Sequence, residues 1–198
     1  LFARSNKHSG AWMDSLQSRR KLEDGSVQLP IATLTCNFAK ASANKPATLS
    51  HEEVVTLFHE FGHCLHHILT QVDYLGASGI NGVEWDAVEL PSQFFENWCW
   101  ENSGLAVLTA HVDTGEPLPN SLFERLIAAK NFQSAMAMIR QMEFAVFDFR
   151  IHQEYVANQA SLVDDILADV RSKTCVVPVV PYNRFAHSFS HIFGGGYS

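Results

Sequence analysis

Apolar residues recur at 4-3-4-3 spacing from Val54 through Phe58, Phe61 and Leu65 to Ile68, the period of one face of an α-helix. Ser50, followed three residues later by Glu53, has the pattern of a capping box and predicts that the helix opens there. Its end is expected between Gln71 and Gly76. At ~100° per residue, His59, His63 and His67 fall on the side opposite the apolar stripe. The chain before this helix reads differently. Val27 to Phe38 is rich in β-formers and follows the turn signal Asp24-Gly25-Ser26, with Pro30 confining the strand to an edge or an end position. Ser9 to Met13 supplies a candidate partner strand.

Past the first helix, the glycines of Gly76-Ala77-Ser78-Gly79-Ile80-Asn81-Gly82 predict a loop. A second helix is expected over Ser92 to Glu101, with Pro91 tolerated only in its first turn. Asp113-Thr114-Gly115-Glu116-Pro117 marks another turn, and Ser121 with Glu124 repeats the capping-box pattern. From Leu122 to Val156 there is neither Gly nor Pro, and Leu126, Met138, Met142, Phe144 and Phe147 supply apolar faces. Ser161 to Ser172 reads as a last amphipathic helix, and Val176 to Val180 as a strand. The expected architecture is mainly α, with a β-rich part over residues 1–40 and a helical part over 50–198.

Composition narrows the function classes. With 46% hydrophobic and 18% charged residues the chain can bury a core. The net charge of −7, with no basic cluster longer than Arg19-Arg20-Lys21, argues against nucleic acid as a partner. No apolar run approaches the ~18 residues of a membrane span. Cys36, Cys64, Cys99 and Cys175 are far apart, without a C-x-x-C pair, and sit among apolar neighbours. They read as small buried hydrophobes in a reducing compartment such as the cytoplasm. Histidine is the unusual residue: of ten, five (His51, His59, His63, His66 and His67) lie between residues 51 and 67.

His59-Glu60-Phe61-Gly62-His63 places two imidazoles four residues apart on one helix face, where both can reach a single Zn²⁺. Glu60 stands one position from the first imidazole, beside rather than on the metal, where a carboxylate can take a proton from a water the zinc has acidified. Two solvated surface histidines would give the same five letters. Gly62 lies in mid-helix at a cost of ~1 kcal/mol relative to Ala, a cost that close approach of another backbone or of substrate would offset. His67 paired with His63 would put Cys64 where the base belongs, so His67 reads as a supporting or surface residue. His51 and His66 read as solvent or packing residues. A catalytic zinc takes a third protein ligand, and Glu84, Asp86 and Glu89 compete for it. Glu89 lies between Val88 and Leu90 at a helix entrance, where a charge needs a partner; Glu84 and Asp86 could equally be loop surface. Glu96, two turns beyond Glu89 on the same face, could buttress a ligand.

Together with Ala87-Val88-Glu89-Leu90-Pro91-Ser92-Gln93 and Glu96-Asn97-Trp98, the His59–His63 segment resembles the thimet-oligopeptidase family of zinc metallopeptidases (M3). Lys7-His8-Ser9-Gly10-Ala11-Trp12-Met13, Leu34-Thr35-Cys36-Asn37-Phe38 and His187-Ser188-Phe189-Ser190-His191-Ile192-Phe193 extend the resemblance from Arg4 to Tyr197. It implies a zincin-like catalytic core of the neurolysin and thimet-oligopeptidase type, with a small β-sheet near the N-terminus. It also implies a Zn²⁺ held by His59, His63 and Glu89, Glu60 as the base, and hydrolysis of short peptides in a channel. His191 and Tyr197 would line the substrate site, His191 as a hydrogen-bond donor to the oxyanion, and Gly10-Ala11-Trp12 would edge the channel. Family members are several times longer and carry further carbonyl-binding tyrosines past the segment at which this sequence stops. The expectation is therefore a catalytic-core fragment that keeps the zinc ligands but cleaves peptides poorly alone. Two other readings stand beside it: a zinc-binding module without catalysis, and a peptide-binding remnant that uses an exposed strand edge.

Overall fold

The computed structural model describes residues 10–41, 43, 47–159 and 161–194. They form two compact units, Leu1–Phe123 and Glu124–Ser198. Two short antiparallel ribbons open the first unit. Strand β1 (Trp12–Gln17) pairs with β4 (Ile31–Thr35), Trp12 facing Thr35 and Ser15 facing Ala32, with a bulge before Gln17. Strand β2 (Arg20–Lys21) pairs with β3 (Val27–Gln28). The turn between them is closed by Asp24, whose Oδ1 accepts from the Ser26 amide at 2.9 Å and its hydroxyl at 2.6 Å. The strand expected over Val27 to Phe38 is thus two strands. Pro30, which has no N–H to give a ladder, falls in the gap between β3 and β4.

Helix α1 (His51–Ile68) begins where expected: the Glu53 amide donates to Ser50 Oγ at 3.2 Å, and the Ser50 amide to the Glu53 carboxylate at 2.7 Å. It stops at Leu69, earlier than the sequence suggests, and Thr70 Oγ1 then accepts from the Val72 amide at 3.2 Å. Its buried residues are Glu60, Gly62, His63, Cys64 and His67, whereas Phe61 and Ile68 of the apolar stripe are exposed. The expected orientation is therefore incomplete. The polar face is turned inward, where His67 Nε2 meets Gln17 O of β1 at 2.9 Å. Phe58 and Phe61 pack instead on Phe95, their ring centroids 5.2 and 5.9 Å from it.

Helix α2 (Leu90–Glu96) starts two residues before the expected Ser92, with Pro91 in its first turn, and tightens into a 3₁₀ turn over Asn97–Trp100. Helix α3 (Asn102–Leu108) and α4 (Asn120–Asn131) follow. Ser121 lies inside the first turn of α4 rather than at its cap.

The second unit is built on α5 (Ser134–Glu154) and α6 (Ser161–Thr174), followed by the single turn α7 (Phe185–Ser188). Phe147, Ile151, Ile166, Leu167, Val170, Phe185 and Ile192 form its core. Phe147 is fully buried, as an apolar face requires, but Met138 and Met142 are exposed. Val176 to Val180 is not a strand; no neighbouring strand among the described residues offers it a ladder. Cys36, Cys64 and Cys99 are buried, Cys175 is half-buried, and all four are free thiols. Burial pushes the Cys99 thiol up to about 11, so it behaves as an inert hydrophobe. No helix among the described residues is long and apolar enough to cross a membrane.

Glu143 is 2% exposed, yet it is an acid. Arg171 Nε donates to its Oε1 at 2.8 Å, and Arg140 holds its Oε2. Burial raises the Glu143 carboxyl, but the hydrogen bonds and charges of Arg171 and Arg140 outweigh burial, and it ends below the usual 4.5. A depressed carboxyl adds stability above its unfolded value, lost as pH falls through its folded one. Glu143→Gln should therefore melt well below the parent at pH 7, by about 3 kcal/mol for a broken buried pair. The gap should narrow as pH drops below about 4.5. A gap independent of pH, read from thermal melting by circular dichroism, would show that the charge is not what stabilises.

Candidate metal centre

Three side chains from two elements converge. His59 and His63 come from successive turns of α1, and Glu89 from the residue before α2. One potential ligand atom from each lies within 4.8 Å of the others. Nε2 of His59 and Nε2 of His63 lie 3.0 and 3.1 Å from the same Glu89 oxygen, Oε2. Of the competing acids, Glu84 and Asp86 are exposed and stand outside this group.

Gly62 explains how α2 comes close enough. A Cβ at Gly62 would lie 2.6 Å from Ser92 Cα and 2.9 Å from Pro91 O, so only glycine lets the first turn of α2 rest on α1 here. The mid-helix glycine is a contact point between helices. Glu96, one turn after Ser92, then reaches back to His59, its Oε1 2.7 Å from Nδ1.

The donor set suits a cation. Both ring nitrogens of His59 face a carboxylate oxygen, Nδ1 that of Glu96 at 2.7 Å and Nε2 that of Glu89 at 3.0 Å. Two electron-rich atoms 3.0 Å apart need a proton or a metal ion between them. Burial, ahead of the opposing attraction of Glu89, lowers the His63 pKa and favours the neutral ring that binds metal. Two imidazoles and one carboxylate form a donor set used by catalytic zinc, which leaves a fourth position open. Glu60 is 7% exposed on the same helix. Burial raises its carboxyl, the nearby His59 lowers it and Glu89 raises it further; the net direction is upward.

The remaining histidines are otherwise engaged. His67 is neither supporting the three-residue group nor on the surface: fully buried, it accepts the Ile80 amide at Nδ1 (3.5 Å) and meets Gln17 O through Nε2. Gly79, at φ +63°, lets the loop lie against this ring, since a Cβ there would stand 2.5 Å from Nδ1. His51 packs edge-on against Trp100, and His66 is half-buried. Gly10, at φ +97°, accepts Asn37 Nδ2 at its carbonyl, and Ala11 leads into β1. Cys36, just past β4, lies near enough to Cys64 of α1 to raise its thiol, after burial and Glu60. His191 lies in the second unit, exposed in the 3₁₀ turn Ser190–Ile192. Tyr197 lies outside the described residues.

The sequence shows Ser92 only as a member of the Ala87–Gln93 segment, with no role attached to it. Ser92 is fully buried, and its hydroxyl donates to Glu89 Oε2 at 2.7 Å, with Glu89 O at 2.9 Å. A serine three residues after the Glu89 carboxylate at a helix start is a weak signal, shared with many plain helix starts.

The model for peptidase family M3 matches residues 1–198. Oligopeptidase A of Escherichia coli is 53% identical over 198 residues, 100% of this chain and 29% of that protein. A probable cytosolic oligopeptidase A of Arabidopsis thaliana is 43% identical over 197 residues, 98% of this chain and 28% of that protein. Saccharolysin of Saccharomyces cerevisiae is 33% identical over 198 residues, covering 100% of this chain and 28% of its own length. The chain thus spans less than a third of these relatives.

Proposed function

The chain belongs to peptidase family M3, and from that premise we propose that it supplies the metal-binding and proton-transfer part of a zinc-dependent endopeptidase for short peptides. The observation that carries the reading is the convergence of His59 and His63 of α1 with Glu89 at the start of α2, with Glu60 next to His59 on α1. His59, His63 and Glu89 would hold the ion. Zn²⁺, when bound, supplies a Lewis acid that polarises a peptide carbonyl and makes a water easier to deprotonate. Glu60 takes the proton of the attacking water and passes it to the leaving amine. Its buried setting raises its basicity, which suits that task. Glu96 holds His59 in the tautomer whose Nε2 faces the metal position. By the family resemblance alone, His191 would be a hydrogen-bond donor to the oxyanion and Tyr197 a substrate residue. Gly10 and Ala11, just before β1, would edge the path of an extended peptide.

Short peptides are the substrate class because the relatives are named oligopeptidases. The cytoplasm is the proposed location, in keeping with four free thiols and a relative named as cytosolic.

Zinc content and cleavage of a quenched fluorescent peptide test the reading together. The chain should bind one Zn²⁺. Glu89→Ala should weaken that binding by about 10²-fold or more, beyond the ~10–100-fold typical of an outer hydrogen-bonding partner. Glu84→Ala and Asp86→Ala, both at exposed positions, should leave affinity unchanged. Parental affinity in the Glu89 variant, with loss in either of the others, would reassign the third ligand.

A further inference from the structure

We infer that Ser92 is a positioning residue for the metal centre, acting through Glu89 and made possible by Gly62. The inference rests on the zinc reading above. Glu89 carries two equivalent oxygens, and as a surface carboxylate it would rotate between them. Here one oxygen, Oε2, faces three groups: His59 Nε2 at 3.0 Å, His63 Nε2 at 3.1 Å and Ser92 Oγ at 2.7 Å. The hydroxyl has one proton to give. The Glu89 carbonyl at 2.9 Å is the ordinary partner of a serine in a helix, but the carboxylate is closer and charged, so it takes the stronger bond.

Ser92 is fully buried, while Glu89 is only half-buried. The hydroxyl is thus the protected partner of an otherwise accessible carboxylate. Burial matters because a bond shielded from water keeps its strength, whereas an exposed one competes with solvent. The position of Ser92 is itself fixed, since its Cα sits where a side chain at Gly62 would be. The chain of cause runs from Gly62, to the seat of Ser92 on α1, to the oxygen of Glu89 that faces the two histidines. Glu96 orients His59 from the other end of the same short helix. Helix α2 therefore steadies two of the three ligands, with Ser92 and Glu96 four residues apart on one face.

The test is zinc affinity, measured on the whole 198-residue chain by competition with a chromophoric chelator. Ser92→Ala should bind Zn²⁺ about 10–100-fold more weakly than the parent, with an unchanged far-ultraviolet spectrum and metal-free melting temperature. Ser92→Ala should cost nothing further when added to Glu89→Ala, because its action runs through that carboxylate. A merely structural serine would weaken both backgrounds alike, and that result overturns the inference. So does parental affinity in the single variant, which leaves the zinc reading intact. A parent chain that binds no zinc defeats the zinc reading and the positioning role with it. If Ser92→Ala fails to fold, Ser92→Cys, of similar size but a weaker donor, is judged by the same two comparisons.

Discussion

Glu60→Gln, made in an active enzyme of M3 length that carries this sequence, should keep its zinc, lose about 10²–10⁴ in peptide turnover and, stripped of metal, melt at a higher temperature. The three outcomes share one cause. Glu60 is buried on α1 next to His59 in sequence, but it is not one of the three groups that converge on the metal position. Glutamine keeps the shape, so zinc affinity should change little. Glutamine cannot accept the proton of the attacking water, and loss of a positioned base costs ~10²–10⁴ in rate. Stability moves the other way. Burial raises the Glu60 carboxyl, and a group raised in the fold favours the folded state below its unfolded pKa and penalises it as pH climbs through the folded value. At pH 7 the parent holds a charge that the fold disfavours, and the amide removes it. The melting gain should therefore be present at pH 7 and fade toward pH 4. Turnover near the parental rate would move Glu60 to a structural role, and a lower melting temperature at pH 7 would show that its charge is compensated.

That opposition between activity and stability bears on how much of the chain could be read from its letters. The start of α1 was legible because a capping box is a local device, complete within Ser50 to Glu53. The Asp24–Ser26 turn was legible for the same reason. The convergence of His59, His63 and Glu89 was legible in part. Helix geometry fixes His59 and His63 on one face, but Glu89 stood out only by its apolar flanks, and its convergence with them depends on a loop and a second helix that spacing does not describe. The inward face of α1 was harder. Periodicity equates the apolar stripe with the buried side, yet this helix buries His63, His67 and Glu60 while Phe61 and Ile68 are exposed. It has packed neighbours on more than one side: the Gln17 carbonyl and the Gly79 loop take His67 on one, and Pro91, Ser92 and Phe95 of α2 lie against the other. His67, with both ring nitrogens engaged, is buried at little net cost, and no hydrophobicity pattern encodes those partners.

Gly62→Ala should cost the zinc site more than it costs the helix. By propensity alone the change is favourable, since Ala in a helix interior is worth ~1 kcal/mol over Gly. Packing reverses the sign. The added methyl would meet Ser92 Cα at 2.6 Å, Pro91 O at 2.9 Å and Ser92 N at 3.1 Å, all backbone atoms that no rotamer change can move aside. Overpacking of this kind typically costs 1–3 kcal/mol, so the net loss of stability should be modest and the chain should still fold. Relief must come from displacement of α2, and Glu89, Ser92 and Glu96 move with it. Ligand atoms must sit within about 0.2 Å of their ideal distances, so a shift of even half an ångström is large on that scale. Zinc affinity should therefore fall by about 10²-fold or more, while melting of the metal-free chain drops by only a few degrees. Helix propensity and the metal centre make opposite demands on this residue, and comparison of Gly62→Ala with the parent by zinc titration and thermal melting separates them. An alanine variant that binds zinc as the parent does and melts higher would show that α2 has room to spare, and the close approach would then have no part in placing Glu89.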